Sequence, residues 1–157
     1  MSHARSEYED FKRIAPDAYD LVLALGQLAA KAGLDKQLLE LVKLRASQIN
    51  GCANCLDMHA REALAMGESA TRLLVLDAWR EAPFYSARER AALAWTEALT
   101  LVSSARAPDT LYEELRAEFS EGEQVKLTLL INVINGWNRI AVGFGVFGSS
   151  APAREAA

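Results

Sequence analysis

The sequence predicts a single all-α domain, a bundle of about seven to eight helices. Apolar residues recur three and four positions apart along the chain, and no stretch alternates apolar and polar residues as a half-buried strand would. Capping and turn residues divide this pattern into segments of helical length. With 157 residues, 51% of them apolar, the chain is long enough to bury one sizeable core. We expect this domain over 1–148, followed by a flexible tail over 149–157.

Four helices are predicted in the first half of the chain. Pro16 opens the second, since proline is favoured at the first helical position. Asp35 can cap the third, Gly51 ends it, and Gly67 closes the fourth. We expect these helices over 8–14, from 16 to just before 33, over 36–50 and over 52–66.

Four more helices are predicted in the second half. Pro83 stops the fifth. Ser86 with Glu89, and Ser120 with Glu123, form capping-box patterns at the start of the sixth and the last. We expect these helices over 69–81, from 86 to 102, from 108 onward as a shorter segment, and over 121–146.

The last helix carries a long apolar run and should be buried on most sides. It also contains amides and small residues that would be costly in a dry core. These are Asn132, Asn135, Asn138, Gly136, Gly143 and Gly145. Such residues suit polar contacts and close approach to another helix or subunit, so we expect a homo-oligomer.

Charge and composition exclude several classes of function. The 17 basic and 21 acidic residues are interleaved and give a net charge of −4, which leaves no basic stripe for nucleic acid. Residues 1–10 are too polar for a signal peptide, and no later run of about 18 apolar residues could span a membrane. We therefore expect a cytoplasmic protein. Its two cysteines, three positions apart, indicate redox or metal chemistry.

The informative segment runs from Gly51 to His59. It places two thiols and an imidazole on one helical face, because His59 follows Cys55 by four residues and Cys52 by seven. Since Gly51 breaks the preceding helix, both cysteines fall in a first turn, where unpaired N–H groups and the helix dipole stabilise a thiolate. His59 can accept the thiol proton. One thiol can then attack a peroxide and the other can capture the sulfenic acid as a disulfide, given some local distortion of the turn.

Two other interpretations of these residues stay open. The cysteines can be small buried apolar residues, and the histidine a structural one. Alternatively, Cys52, Cys55 and His59 can bind zinc together with a carboxylate such as Glu40 or Asp57. Against zinc, the chain offers no second pair of Cys or His ligands beyond His3 near its start.

The tract from Leu38 to Gly67 resembles the core of the carboxymuconolactone decarboxylase superfamily, specifically its alkylhydroperoxidase D-like (AhpD-like) branch. The resemblance rests on a Glu, a Cys-x-x-Cys pair and a His four residues further on; the tract 79–97 is also similar. It implies an all-helical fold in trimers or hexamers and thiol-dependent hydroperoxide reduction without metal or organic cofactor. By this resemblance Cys55 attacks the peroxide, Cys52 resolves it, His59 relays protons and Glu40 supports the relay. The spacing of residues alone does not place Glu40 there.

One position departs from the family pattern. Well-characterised members carry a histidine immediately before the second cysteine, where this chain has Asn54, and asparagine cannot accept a proton at neutral pH. Family peroxidases draw electrons from a lipoylated protein, so a dithiol reductant of that kind is the expected partner. The decarboxylase branch does not rely on a cysteine pair, which argues against a lactone decarboxylase. A redox sensor or disulfide-exchange protein remains the alternative to a peroxidase.

Overall fold

A computed structural model describes residues 8–31 and 33–145 of the chain. All regular structure in these residues is helical, in eight α-helices and one short 3₁₀ helix, which confirms the predicted all-α fold. The α-helices are α1 Tyr8–Ile14, α2 Pro16–Ala30, α3 Lys36–Asn50, α4 Ala53–Ala65, α5 Ala70–Leu74, α6 Ala87–Thr100, α7 Asp109–Glu118 and α8 Glu121–Phe144. The predicted tail and His3 lie outside the described residues.

The capping residues act as the sequence predicts. The Asp35 side chain accepts a hydrogen bond from the backbone N–H of Leu38, at 3.0 Å, and so fixes the start of α3. Both predicted capping boxes form, at Ser86 and at Ser120. As a result, six of the predicted helices agree with the observed ones to within about two residues at each end, and the shorter helix predicted from 108 begins at Asp109.

The prediction of one continuous fifth helix over 69–81 is wrong. α5 ends at Leu74, and a 3₁₀ helix follows at Leu76–Ala78. Leu76 and Trp79 are both buried, and their spacing of three matches a 3₁₀ turn, in which residues i and i+3 align. An α-helix also places residues three apart on one face, so the burial of these two side chains did not by itself distinguish the two kinds of helix.

α3 is the central helix of the bundle. It packs against α4, α6 and α8, while α2 packs on α8. One core cluster lies between α2, α3, α6, α7 and α8, and a second lies between α3, α4, the 3₁₀ helix and α6. The position of α3 matters for function, because α3 brings its side chains against the start of α4.

The buried amides of α8 bind within the chain. Asn50 on α3 donates to the side-chain oxygens of both Asn135 and Asn138, each at 2.9 Å. Asn138 in turn donates to Ser47 at 3.0 Å and is fully buried, whereas Asn132 is exposed. Contacts to α3 account for two of the three asparagines, so these residues do not require another subunit, and the expected homo-oligomer stays a prediction.

Candidate functional site

The two cysteines lie where α3 gives way to α4. α3 ends at Gly51, whose positive φ of 65° is a left-handed conformation that glycine adopts without strain. Cys52 is the residue before α4 and has an extended backbone, and Cys55 lies in the first turn. The backbone N–H of Cys55 donates to the sulfur of Cys52 at 3.3 Å. This arrangement confirms that both sulfurs are at a helix N-terminus, where N–H groups stabilise negative charge.

Cys52 and Cys55 are joined as a disulfide pair, with their Cα atoms 5.4 Å apart. That separation is within the range that disulfides favour. The local distortion expected from the sequence is the extended backbone of Cys52, which lies outside the helix proper. The two residues expose only 1% and 3% of their surface, so any reagent must reach them through an opening in the fold.

His59 lies one turn further along α4 and is held by two carboxylates. Its Nδ1 atom is 2.9 Å from Glu40 Oε2 and 3.0 Å from Glu62 Oε2. When Nδ1 carries the proton, it donates to these oxygens and Nε2 is left as the atom that can accept one. The packing of α3 on α4 thus brings Glu40 to His59 across the break at Gly51.

Glu40 is buried and fully paired. Its Oε2 faces His59, and its Oε1 accepts a hydrogen bond from Lys43 Nζ at 2.5 Å. Burial by itself raises the pKa of the Glu40 carboxyl, but the hydrogen bonds from His59 and Lys43 outweigh burial and lower this pKa below its usual value. Glu40 is therefore ionised at neutral pH and can stabilise a protonated His59.

A cavity of about 420 Å³ opens onto this group. Cys55 and His59 line the cavity together with Asn54, whereas Cys52 is not among its lining residues. The opposite wall is mainly apolar and belongs to α2 and α8, with Leu23, Leu130, Val133, Ile134, Trp137 and Ala141 among its residues. Of the two thiols, Cys55 is the one that a small molecule in the cavity meets.

Two cavity residues were missed by the sequence analysis. Lys43 and Glu62 both line the cavity and bind the predicted residues Glu40 and His59. Each follows its partner by three positions on the same helix, a spacing at which side chains are neighbours. That spacing is the signal from which they could have been found.

The zinc interpretation does not match the observed contacts. The sulfurs bind each other, and Asp57 accepts a hydrogen bond from Arg61 at 3.0 Å. Among the described residues, the group whose oxygen and nitrogen atoms could hold a cation is Glu40, His59 and Glu62, within 4.8 Å of one another. Because Lys43 already pairs with Glu40 and both carboxylates bind Nδ1 of His59, hydrogen bonds account for this group.

None of the described helices combines the length and the apolar character needed to cross a membrane.

The site residues from α3 and α4 fall within residues 16–98, which match the family model "Carboxymuconolactone decarboxylase family".

Two relatives support this match. The chain is 42% identical over 145 residues to the uncharacterized protein YdfG of Bacillus subtilis, covering 92% of this chain and 96% of that one. It is 31% identical to the uncharacterized protein YnjA of Escherichia coli over 74% of this chain and 64% of the relative.

Solved structures share the fold. One is a protein of unknown function from Agrobacterium tumefaciens, proposed to be the antioxidant defence protein AhpD. It superposes with a TM-score of 0.86 and is 43% identical, over 97% of this chain and all of that chain. The debrominase Bmp8 has the same fold, with a TM-score of 0.75 and 20% identity over 83% of this chain and 70% of that chain. The chain belongs to the carboxymuconolactone decarboxylase family, with the all-helical fold of its AhpD-like relative.

Proposed function

We propose that this protein is a thiol-dependent hydroperoxide reductase whose Cys-x-x-Cys pair cycles between dithiol and disulfide. The observation that carries the proposal is that Cys55 opens onto a cavity beside His59, while Cys52 lies behind it at disulfide-bonding distance. This arrangement supports different roles for the two thiols, with Cys55 as the one that meets the peroxide.

In the first step, the Cys55 thiolate attacks one peroxide oxygen and the O–O bond breaks. Cys55 becomes a sulfenic acid, and the departing oxygen takes a proton from His59 to leave as an alcohol or water. In the second step, the Cys52 sulfur attacks the sulfenic sulfur, water leaves and the disulfide forms. An external dithiol then reduces the disulfide, so that two electrons pass from the dithiol to each hydroperoxide.

The residues around His59 support a proton relay. The hydrogen bond to Glu40 favours the His59 tautomer whose Nε2 is free to take the Cys55 proton. Ionised Glu40, kept charged by Lys43, then stabilises the imidazolium. Glu40 and Lys43 act here as positioning residues, since they touch neither sulfur.

A redox sensor or disulfide-exchange protein is the second candidate. The observation in its favour is that Asn54 lines the cavity at the position where family peroxidases carry a histidine. A dithiol without a second nearby base would react with peroxide more slowly, and its disulfide could serve as a signal.

The partner, the assembly and the location of the protein are further parts of the proposal. The apolar cavity and buried sulfurs suit a slender dithiol such as a lipoyl group carried by a protein. We also propose that the protein works in the cytoplasm, as a trimer or hexamer, without metal or organic cofactor. Sedimentation of the purified protein checks its assembly, and elemental analysis checks for bound metal.

The direct experiment is hydroperoxide consumption by the purified, metal-free protein with dihydrolipoamide, together with counting of free thiols before and after oxidation. Turnover with loss of two thiols per chain supports the reductase. Loss of two thiols without turnover favours the sensor, and unchanged thiols contradict both functions.

A further inference from the structure

We infer that Glu62 is a specificity-determining residue that makes the cavity select uncharged hydroperoxides over anionic ones. The inference deepens the proposed function and rests on it for the identity of the substrate. It starts from the charges around Cys55.

The charges of the buried groups beside the cavity cancel in pairs. Lys43 and Glu40 form a close ion pair, in which hydrogen bonds from His59 and Lys43 lower the pKa of Glu40 and keep its carboxylate ionised at neutral pH. In the reduced protein, transfer of the Cys55 proton to His59 creates one negative and one positive charge and leaves the local sum unchanged. Neither the ion pair nor the proton transfer gives the cavity a net positive charge.

The carboxylate of Glu62 is left over from this pairing. The Glu62 carboxylate contacts Nδ1 of His59. The Glu62 side chain also lines the cavity, and 46% of this side chain is exposed to solvent. The cavity lining around Cys55 therefore carries about one net negative charge, located on the half-exposed Glu62 side chain.

The described residues of α2 and α8 that line the cavity include no lysine or arginine. The α8 residues that line the cavity are apolar, apart from the indole N–H of Trp137. Lys12 lies over the ring of Tyr19, 5.4 Å from its centroid, but is not among the lining residues. Lys43 also lines the cavity, but it is paired with Glu40. Among the described lining residues, a ligand that carries a carboxylate would thus meet Glu62 without an unpaired lysine or arginine, whereas an uncharged ligand meets no repulsion.

The size of the effect follows from Coulomb's law. Two charges about 4 Å apart in water-like surroundings interact by about 1 kcal/mol, which is roughly a fivefold change in rate. Because about half of the Glu62 side chain is exposed, its interaction with an anionic ligand should be as weak as in water. Added salt should weaken this interaction further. We expect removal of the Glu62 charge to raise the relative rate of an anionic reagent about three- to fivefold.

The test uses iodoacetamide and iodoacetate, which are similar in size and reaction but differ in charge. In the Cys52→Ser protein, the Cys55 sulfur forms an S–C bond with either reagent and iodide leaves. The measured quantity is the ratio of the two rates, divided by the same ratio for 2-mercaptoethanol. A change in the thiolate fraction affects both reagents equally and cancels in this ratio.

The matched control is Asp57→Asn. Asp57 is on the same helix, its side chain is 44% exposed, and it binds Arg61 instead of His59. We expect Glu62→Gln, made in the Cys52→Ser protein, to lower the preference for iodoacetamide about three- to fivefold and Asp57→Asn to leave it nearly unchanged. An unchanged ratio in Glu62→Gln, or an equal change in both variants, would overturn the inference.

A second measurement separates this inference from the proposed function. Turnover of cumene hydroperoxide carrying a para-carboxylate is compared with turnover of its methyl ester, in wild-type and Glu62→Gln protein. Turnover of both with no dependence on Glu62 overturns the inference and leaves the reductase standing. A Glu62-dependent alkylation ratio without turnover of either compound or of hydrogen peroxide keeps the charge selection at Cys55 and overturns the reductase.

Discussion

The pairing of Glu40 gives a prediction about stability that needs no enzyme assay. Replacing Glu40 by Gln keeps the shape of the side chain but removes the charge that Lys43 and His59 face. A hydrogen bond to a charged group contributes about 1.5 to 3 kcal/mol, and burial of the carboxylate offsets part of two such bonds. We expect Glu40→Gln to lower the free energy of unfolding by about 2 to 3 kcal/mol at pH 7.

The dependence of this loss on pH follows from the sign of the pKa shift. The pKa of Glu40 is lowered in the folded protein, so its contribution is fully present above the unfolded value of 4.5. The contribution fades as the pH falls from there through the lower, folded value. The wild-type protein and Glu40→Gln should therefore differ most near neutral pH and converge under acidic conditions.

Urea unfolding of both proteins between pH 7 and the acid limit of the folded state measures this difference. The control is Glu113→Gln, because Glu113 forms an exposed ion pair with Arg116 at the same spacing of three and should contribute less than about 1 kcal/mol. A difference for Glu40→Gln that stays constant with pH, or that is no larger than that of the control, would refute the account of the buried pair.

Three further predictions concern the thiols and the core. Cys55→Ser should abolish hydroperoxide consumption, and normal consumption by this variant would contradict the assigned roles. Cys52→Ser should consume one equivalent of hydroperoxide and stop as a sulfenic acid, which a dimedone probe traps. His59→Ala should slow the reaction more at neutral than at alkaline pH, because alkaline solution ionises the Cys55 thiol without a base in the protein. An unchanged pH–rate profile would exclude the relay. Asn138→Ala should lower the free energy of unfolding by about 1 to 3 kcal/mol, because it removes one of the two acceptors of the Asn50 amide and the N–H group that donates to the buried Ser47 hydroxyl. Asn132→Ala should change it by less than about 0.5 kcal/mol, and equal effects of the two variants in thermal unfolding would argue against the buried network.

Helix starts and stops were predictable because their causes are local. Pro16, Asp35 and Gly51 act on the backbone within one turn, and each has the predicted effect in the structure. The fifth helix shows where this reasoning ends. It changes to a 3₁₀ turn where Leu76 and Trp79 are buried in a cluster with residues of α3 and α6, and the periodicity of the segment does not indicate this change.

The sequence by itself determined the helical fold, the family and the group formed by Cys52, Cys55 and His59, because spacing within one helix fixes which side chains share a face. Only the tertiary structure decided that Glu40 reaches His59 and that Cys55 faces the cavity. Both depend on how α3 and α8 pack against α4, and packing joins residues whose separation in sequence carries no periodic signal. The α8 asparagines make the same point, since their partners on α3 are 85 and 88 residues away.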